Sequence, residues 1–300
     1  MSSTGYETSL QAAQTPPTAN FACIQVSPVD AALGAEIGDV DLSKPLGDET
    51  VRDLESALAE YEVLVFRDQS LTPEQHIALA NRFGGVNINR FFRPVDGYPE
   101  IAEVRKEPDH KSNIGGGWHT DHSYDALPAK ASLLYARELP PHGGDTVFAS
   151  ATRAFASLSP GLQAKLRRLR ALHSSRHVFG PNSASRAETD LPGRVLNPEL
   201  ATQDAVHPVV FKHHRNGREA LYVNPGFTLR FEGWTSAESA PLLAYLFGQV
   251  IRDDFTFRLA WREDTLAIWD NRTAWHRALN DYQGERRLLH RITLAGESLN

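Results

Sequence analysis

Trp118-His119-Thr120-Asp121, read together with Trp269-Asp270-Asn271-Arg272-Thr273-Ala274-Trp275-His276 far downstream, decides how this chain folds. Two imidazoles and one carboxylate are the donor set of a mononuclear non-haem Fe(II) centre, which leaves one face of the metal open to a co-substrate and oxygen. If the first stretch is a strand, His119 and Asp121 share a face while Thr120 takes the other, so one strand supplies two donors. The third donor, His276, is so distant in sequence that only a folded barrel brings it back. A histidine near apolar neighbours is more often a hydrogen-bonded core residue than a ligand, and H-x-D alone arises often by chance. The surroundings of the two stretches therefore carry the decision.

Upstream, Gly34–Leu42 reads as a short strand and turn, Asp48 caps a helix over Glu49–Tyr61, and Val63–Phe66 is a buried strand. Thr72-Pro73-Glu74-Gln75 opens a helix that runs to Phe83 and ends at Gly84-Gly85. Residues 86–117, dense in Asn, Arg, Pro and Gly, read as a lid-like loop. Strands follow at Ser132–Ala136 and Asp145–Ala149, then helices at Thr152–Leu158 and Pro160–Leu172 and an irregular, lid-like insertion at 174–206. Val209–Phe211, Ala220–Val223, Phe255–Leu259, Thr265–Trp269 and Arg287–Leu294 read as strands, with a helix over Ser239–Ile251. Many short strands with a helical minority give a mainly β fold with helices (α+β): a double-stranded β-helix, or jelly roll, flanked by helices.

Composition narrows the function. The 300 residues carry a formal charge of −6 without a dense Lys/Arg run, which argues against nucleic acid as a partner. Cys23 is the single cysteine, so no internal disulfide forms and a reducing cytoplasm fits. No basic-then-apolar leader and no membrane-length apolar run is present, so neither export nor a membrane span is expected. Residues 1 to about 22 read as a mobile tail and 23–300 as a single domain. Oligomeric state stays open, a homo-oligomer included.

Beyond the two opening stretches, Val65–Gln69, Arg82-Phe83-Gly84, Glu138-Leu139-Pro140, Gly143–Thr146, Val223–Thr228 and Asn280–Arg291 stand in a recognisable order. From Ile24 to about Leu294 the chain resembles the taurine dioxygenase / 2,4-dichlorophenoxyacetate dioxygenase family of Fe(II)- and 2-oxoglutarate-dependent oxygenases. The resemblance implies that His119, Asp121 and His276 hold Fe(II), and that Thr146 and Arg287 hold the distal carboxylate of the co-substrate 2-oxoglutarate. It further implies reaction with O2, release of succinate and CO2, and hydroxylation of a small substrate or its cleavage after hydroxylation. Asp121 speaks against halogenation, for which family members replace this carboxylate with a small residue. Residue chemistry agrees about Arg287, because a guanidinium grips a carboxylate at two points. On a strand, Arg287, Leu289, Arg291 and Thr293 share the inner face while Arg286 and His290 face outward.

The resemblance assigns Arg291 to the anionic group of the primary substrate, a carboxylate, sulfonate or sulfate. It assigns substrate contact to the position of His122 too, which strict alternation turns away from the ligands. Taurine-specific members carry a histidine where this chain has Asn89, so taurine is disfavoured; Arg90 or Arg93 could supply a replacement charge. His173, His177, His213 and His214 match no ligand spacing and read as surface or local structure. A non-catalytic module that binds metal and 2-oxoglutarate, or a zinc hydrolase, is the alternative function; the second leaves Arg287 unexplained.

Overall fold

The computed structural model describes residues 21–183 and 194–299. The expected N-terminal tail therefore lies almost wholly outside the described residues, as does 184–193 of the expected insertion.

A nine-stranded sheet forms the larger wall, in the order Gln25–Pro28, Ala35–Gly38, Val63–Phe66, Leu266–Asp270, Ala131–Glu138, Arg287–Leu294, Tyr98–Lys106 and Pro94–Val95, with Val86–Asn87 also paired to Arg287–Leu294. A three-stranded sheet of Thr256–Leu259, Thr146–Ser150 and Ala274–Ala278 forms the second wall. Side-chain alternation explains the layering. Val63, Val65, Leu134 and Leu289 of the large sheet pack with Phe148, Leu259 and Ala274 of the small one, so the two sheets face each other across one core. Leu64, Phe66, Leu133 and Ile268 point the other way, onto Leu54, Leu58, Leu79 and Phe83 of helices Asp48–Tyr61 and Pro73–Phe83. Behind the small sheet, Ala149 and Trp275 pack on helices Ala151–Ala156 and Ser236–Val250. The jelly-roll expectation holds, with helices outside both walls.

Several local expectations change. Asp48 is the first helical residue rather than the cap; Gly47 takes that place without a side-chain bond. Residues 86–117 are not one loop, because Tyr98–Lys106 is a strand paired with both Pro94–Val95 and Arg287–Leu294. Its sequence, Tyr-Pro-Glu-Ile-Ala-Glu-Val-Arg-Lys, hides the pattern because several polar side chains sit on covered faces. The helix from Pro160 stops at Leu166, and Arg170–Ser174 joins Asp204–Pro208 and Thr228–Phe231 in a third sheet. Parts of the 174–206 insertion are thereby ordered.

Candidate active site

His119 and Asp121 do not share a strand. His119 forms a single β-bridge to His276, exchanging His276 N–H to His119 O at 2.9 Å and His119 N–H to His276 O at 3.1 Å, and the chain then turns. The bridge sets His119 beside a residue fixed in the small sheet, and the turn swings Asp121 to meet both rings. Donor atoms of His119, Asp121 and His276 lie within 4.8 Å of one another. Nε2 of His119 is 3.8 Å from Asp121 Oδ1 and Nε2 of His276 is 4.0 Å from Oδ2.

Each donor is in the state a cation needs. A backbone carbonyl can only accept, so His119 Nδ1 donates to Gly117 O at 2.8 Å and its Nε2 keeps a free lone pair. Burial pushes the basicity of both imidazoles down, and for His276 the neighbouring His119 adds to that. Burial alone would raise the Asp121 carboxyl, but the Arg291 guanidinium beside it holds it well below the usual carboxylate range. Asp121 Oδ2 accepts from Ser132 Oγ at 2.7 Å and Oδ1 from Arg291 Nη1 at 3.0 Å. The Trp269-Asp270-Asn271 stretch builds the support. Asn271 Oδ1 accepts from Trp269 Nε1 at 2.8 Å and from the Asp121 amide at 3.3 Å, and Asn271 Nδ2 donates to Ser132 Oγ at 3.0 Å. Two neutral nitrogens and one oriented carboxylate suit a divalent cation with coordination positions to spare.

His122 does not face away. Its left-handed backbone, φ 55°, redirects the side chain, which is buried and lines the same cavity as the triad. Strict alternation fails because the segment is a turn. Asn89 lines the cavity too, its Oδ1 accepting from the amides of Phe91 at 2.9 Å and Phe92 at 3.0 Å. That fixes the amide, so Nδ2 is the atom 3.3 Å from His122 Nε2, and it must donate. His122 then carries its proton on Nδ1, 3.2 Å from Asp125 Oδ2. Arg90 is spent on Asp125, at 2.7 and 2.8 Å from its two oxygens, so it is not a free replacement charge.

The cavity measures about 780 Å³. Thr146, Arg287 and Arg291 all line it, as inner-face alternation of Arg287–Leu294 requires. Arg287 is buried, and its Nε and Nη2 have no partner among the described residues. Burial pushes its pKa down, against the opposing pull of Tyr282, Asp145 and Asp281, and the two unfilled donors leave the guanidinium able to take a further acceptor. Arg286 is half-exposed and pairs with Glu107 and Glu138. Thr146 Oγ1 accepts from Trp261 Nε1 at 3.0 Å.

Sequence reading missed Asp125, Trp261, His177 and, apart from Phe227, the aromatic wall. Asp125 had only its spacing from His122 as a signal. His177 lines the cavity, with Nε2 donating to Gly226 O at 3.0 Å. Phe92, Tyr124, Phe179 and Phe227 come from four separate segments, and their clustering around the cavity is a tertiary fact.

The family model described as taurine catabolism dioxygenase TauD, TfdA family matches residues 25–293. An alkylsulfatase of Acinetobacter baylyi is 33% identical over 277 residues, covering 91% of this chain and 86% of that protein. An alpha-ketoglutarate-dependent sulfate ester dioxygenase of Pseudomonas putida is 32% identical over 275 residues, covering 91% and 90%. Among solved structures, a taurine dioxygenase from Burkholderia xenovorans superposes with a TM-score of 0.76 at 33% identity, covering 92% of each chain. With the triad inside such a fold and the match running across nearly the whole chain, the protein belongs to the TauD, TfdA dioxygenase family.

Proposed function

We propose that this 2-oxoglutarate-dependent dioxygenase holds Fe(II) with His119, Asp121 and His276, and the distal carboxylate of 2-oxoglutarate with Arg287 and Thr146. Its substrate is an organic acid with an apolar body, whose carboxylate, sulfonate or sulfate meets Arg291, with His122 and Asn89 beside it. The observation that carries the co-substrate assignment is Arg287, a buried guanidinium with two unfilled donors on the wall of the cavity that holds the triad.

When bound, Fe(II) and 2-oxoglutarate supply oxidation by O2 at a substrate carbon, with succinate and CO2 as co-products. The chain's own residues bind, orient and exclude water. Arg287 fixes one end of the keto acid by charge-assisted hydrogen bonds. Phe92, Phe179 and Phe227 give the reacting carbon an apolar seat.

Two features support the substrate class. Arg291 reaches the cavity and, besides Arg287, is its only arginine or lysine among the described lining residues. Among the described lining residues Asp121 is the only carboxylate and it belongs to the triad, so none of them is left to receive an ammonium group. Taurine, a zwitterion, is therefore a poor match, and alkyl or aryl acids fit. Sulfate-ester and alkylsulfate relatives agree in kind.

Succinate formation, followed across alkyl sulfates, alkyl sulfonates, aryloxy acids, taurine and neutral analogues, tests the reading. Turnover is expected for apolar-bodied acids and should collapse in Arg291→Gln. Efficient oxidation of taurine, or of a neutral compound regardless of Arg291, overturns the substrate class. Fe(II) added anaerobically with 2-oxoglutarate should give a visible charge-transfer band, which a zinc hydrolase cannot show.

A further inference from the structure

We infer that Trp261 is a positioning residue for the co-substrate: its indole N–H fixes the Thr146 hydroxyl so that the threonine proton is presented to the 2-oxoglutarate carboxylate. The inference rests on the co-substrate site proposed above. Trp261 does not line the cavity and acts only through Thr146.

The direction of this hydrogen bond is unambiguous although no hydrogen is seen. An indole nitrogen carries a proton and no available lone pair, so in the 3.0 Å contact Trp261 Nε1 donates and Thr146 Oγ1 accepts. A hydroxyl has one proton and two lone pairs. With one lone pair taken by the indole, the proton must turn elsewhere, and no acceptor for it occurs among the described residues. Thr146 faces the cavity that also receives the unfilled Nε and Nη2 of Arg287. Three donors without an acceptor among the described residues thus line one cavity, a match for an acid group.

Local structure holds the tryptophan in place. Leu259 is the strand partner of Thr146, so Trp261, two residues further on, leaves the sheet beside the threonine it contacts. Arg67 Nη1 donates to the carbonyl of Ala260 at 3.0 Å, and Arg67 Nε is 3.2 Å from Glu36 Oε2, which ties the loop carrying Trp261 to the large sheet. Trp261 is 9% exposed and packs in the core between the walls, so its ring cannot drift from the hydroxyl.

Calorimetric titration of Zn(II)-loaded protein with N-oxalylglycine, a non-reacting analogue of 2-oxoglutarate, tests this without turnover. Thr146→Val should weaken binding roughly tenfold and Trp261→Phe about fivefold, the scale of one hydrogen bond lost or misaligned. Thr146→Ser, which keeps the hydroxyl, should bind like wild type. In the Thr146→Val background, Trp261→Phe should cost nothing more. Wild-type affinity in Trp261→Phe, or the same fold-loss in both backgrounds, overturns the positioning role and leaves the co-substrate site standing. Wild-type affinity in both Thr146→Val and Arg287→Lys overturns the site itself, and the positioning role with it.

A second readout needs no change at Trp261. Of the five indole N–H resonances given by five tryptophans, the one that moves in Thr146→Val should also move when N-oxalylglycine binds the wild type. If no indole resonance responds to both changes, the inference is overturned.

Discussion

Arg291 is bonded directly to a residue of the metal triad: its Nη1 lies 3.0 Å from Oδ1 of Asp121, with both side chains buried. The guanidinium also lies over the Phe92 ring, 4.8 Å from its centre. The arginine read from sequence as a substrate anchor thus already has an internal carboxylate partner. An anion entering the cavity can share or take that guanidinium, which links substrate charge to the triad.

Removing this charge should help a cation bind. Arg291→Gln is expected to raise Mn(II) affinity of the substrate-free protein by roughly tenfold, since a unit charge a few Å away is worth more than 1 kcal/mol even at an effective dielectric near 20. Titration by paramagnetic resonance checks it; weaker Mn(II) binding in the variant counts against the electrostatic account.

His119→Ala, Asp121→Ala and His276→Ala should each abolish succinate formation while the chain stays folded. Metal content and circular dichroism measured together are the check. Full activity with bound iron in any of the three would remove the proposed centre.

Arg287→Lys keeps the charge and loses the planar two-point grip. The KM for 2-oxoglutarate should rise by roughly 10- to 100-fold with Fe(II) binding unchanged. Arg286→Lys, on the solvent side with Glu107 and Glu138, should change little. The reverse pattern would mean the strand register is wrong.

Glu62 gives a pH signature away from the site. Burial pushes its carboxyl up to about 7 from an ordinary 4.5, against the Ser150 hydroxyl that bonds Oε1 at 2.8 Å, and Oε2 has no partner among the described residues. In that window the unfolded chain has released a proton that the folded chain retains, so stability falls as pH rises, by about 3 kcal/mol over the full window. Glu62→Gln removes the titration. Its melting temperature should exceed that of wild type at about pH 8 and approach it near pH 5. An equal pH slope in both proteins would show that Glu62 is ionised in the fold.

The sequence by itself determined the parts whose chemistry is local. Val63–Phe66 is apolar on both faces because it lies between two cores, and Thr72 with Gln75 closes a reciprocal helix cap. Arg287–Leu294 alternates as a strand must, which put Arg287 and Arg291 on the cavity side and Arg286 outside. His119, Asp121 and His276 were legible because a metal donor set requires particular residue types, and Thr146 was singled out through the family resemblance of its Gly-Gly-Asp-Thr block.

Only the tertiary structure decided what depends on a single backbone angle or on residues distant in sequence. The positive φ at His122 breaks the alternation that would have turned it outward. Tyr98–Lys106 becomes a strand because its neighbours supply hydrogen-bond partners, which its own composition does not announce. Asp121 finds Arg291 and Ser132, and Thr146 finds Trp261, across separations that no periodicity spans. Hydrogen bonds have short range and strict direction, so their partners are set only once the walls have closed around the cavity.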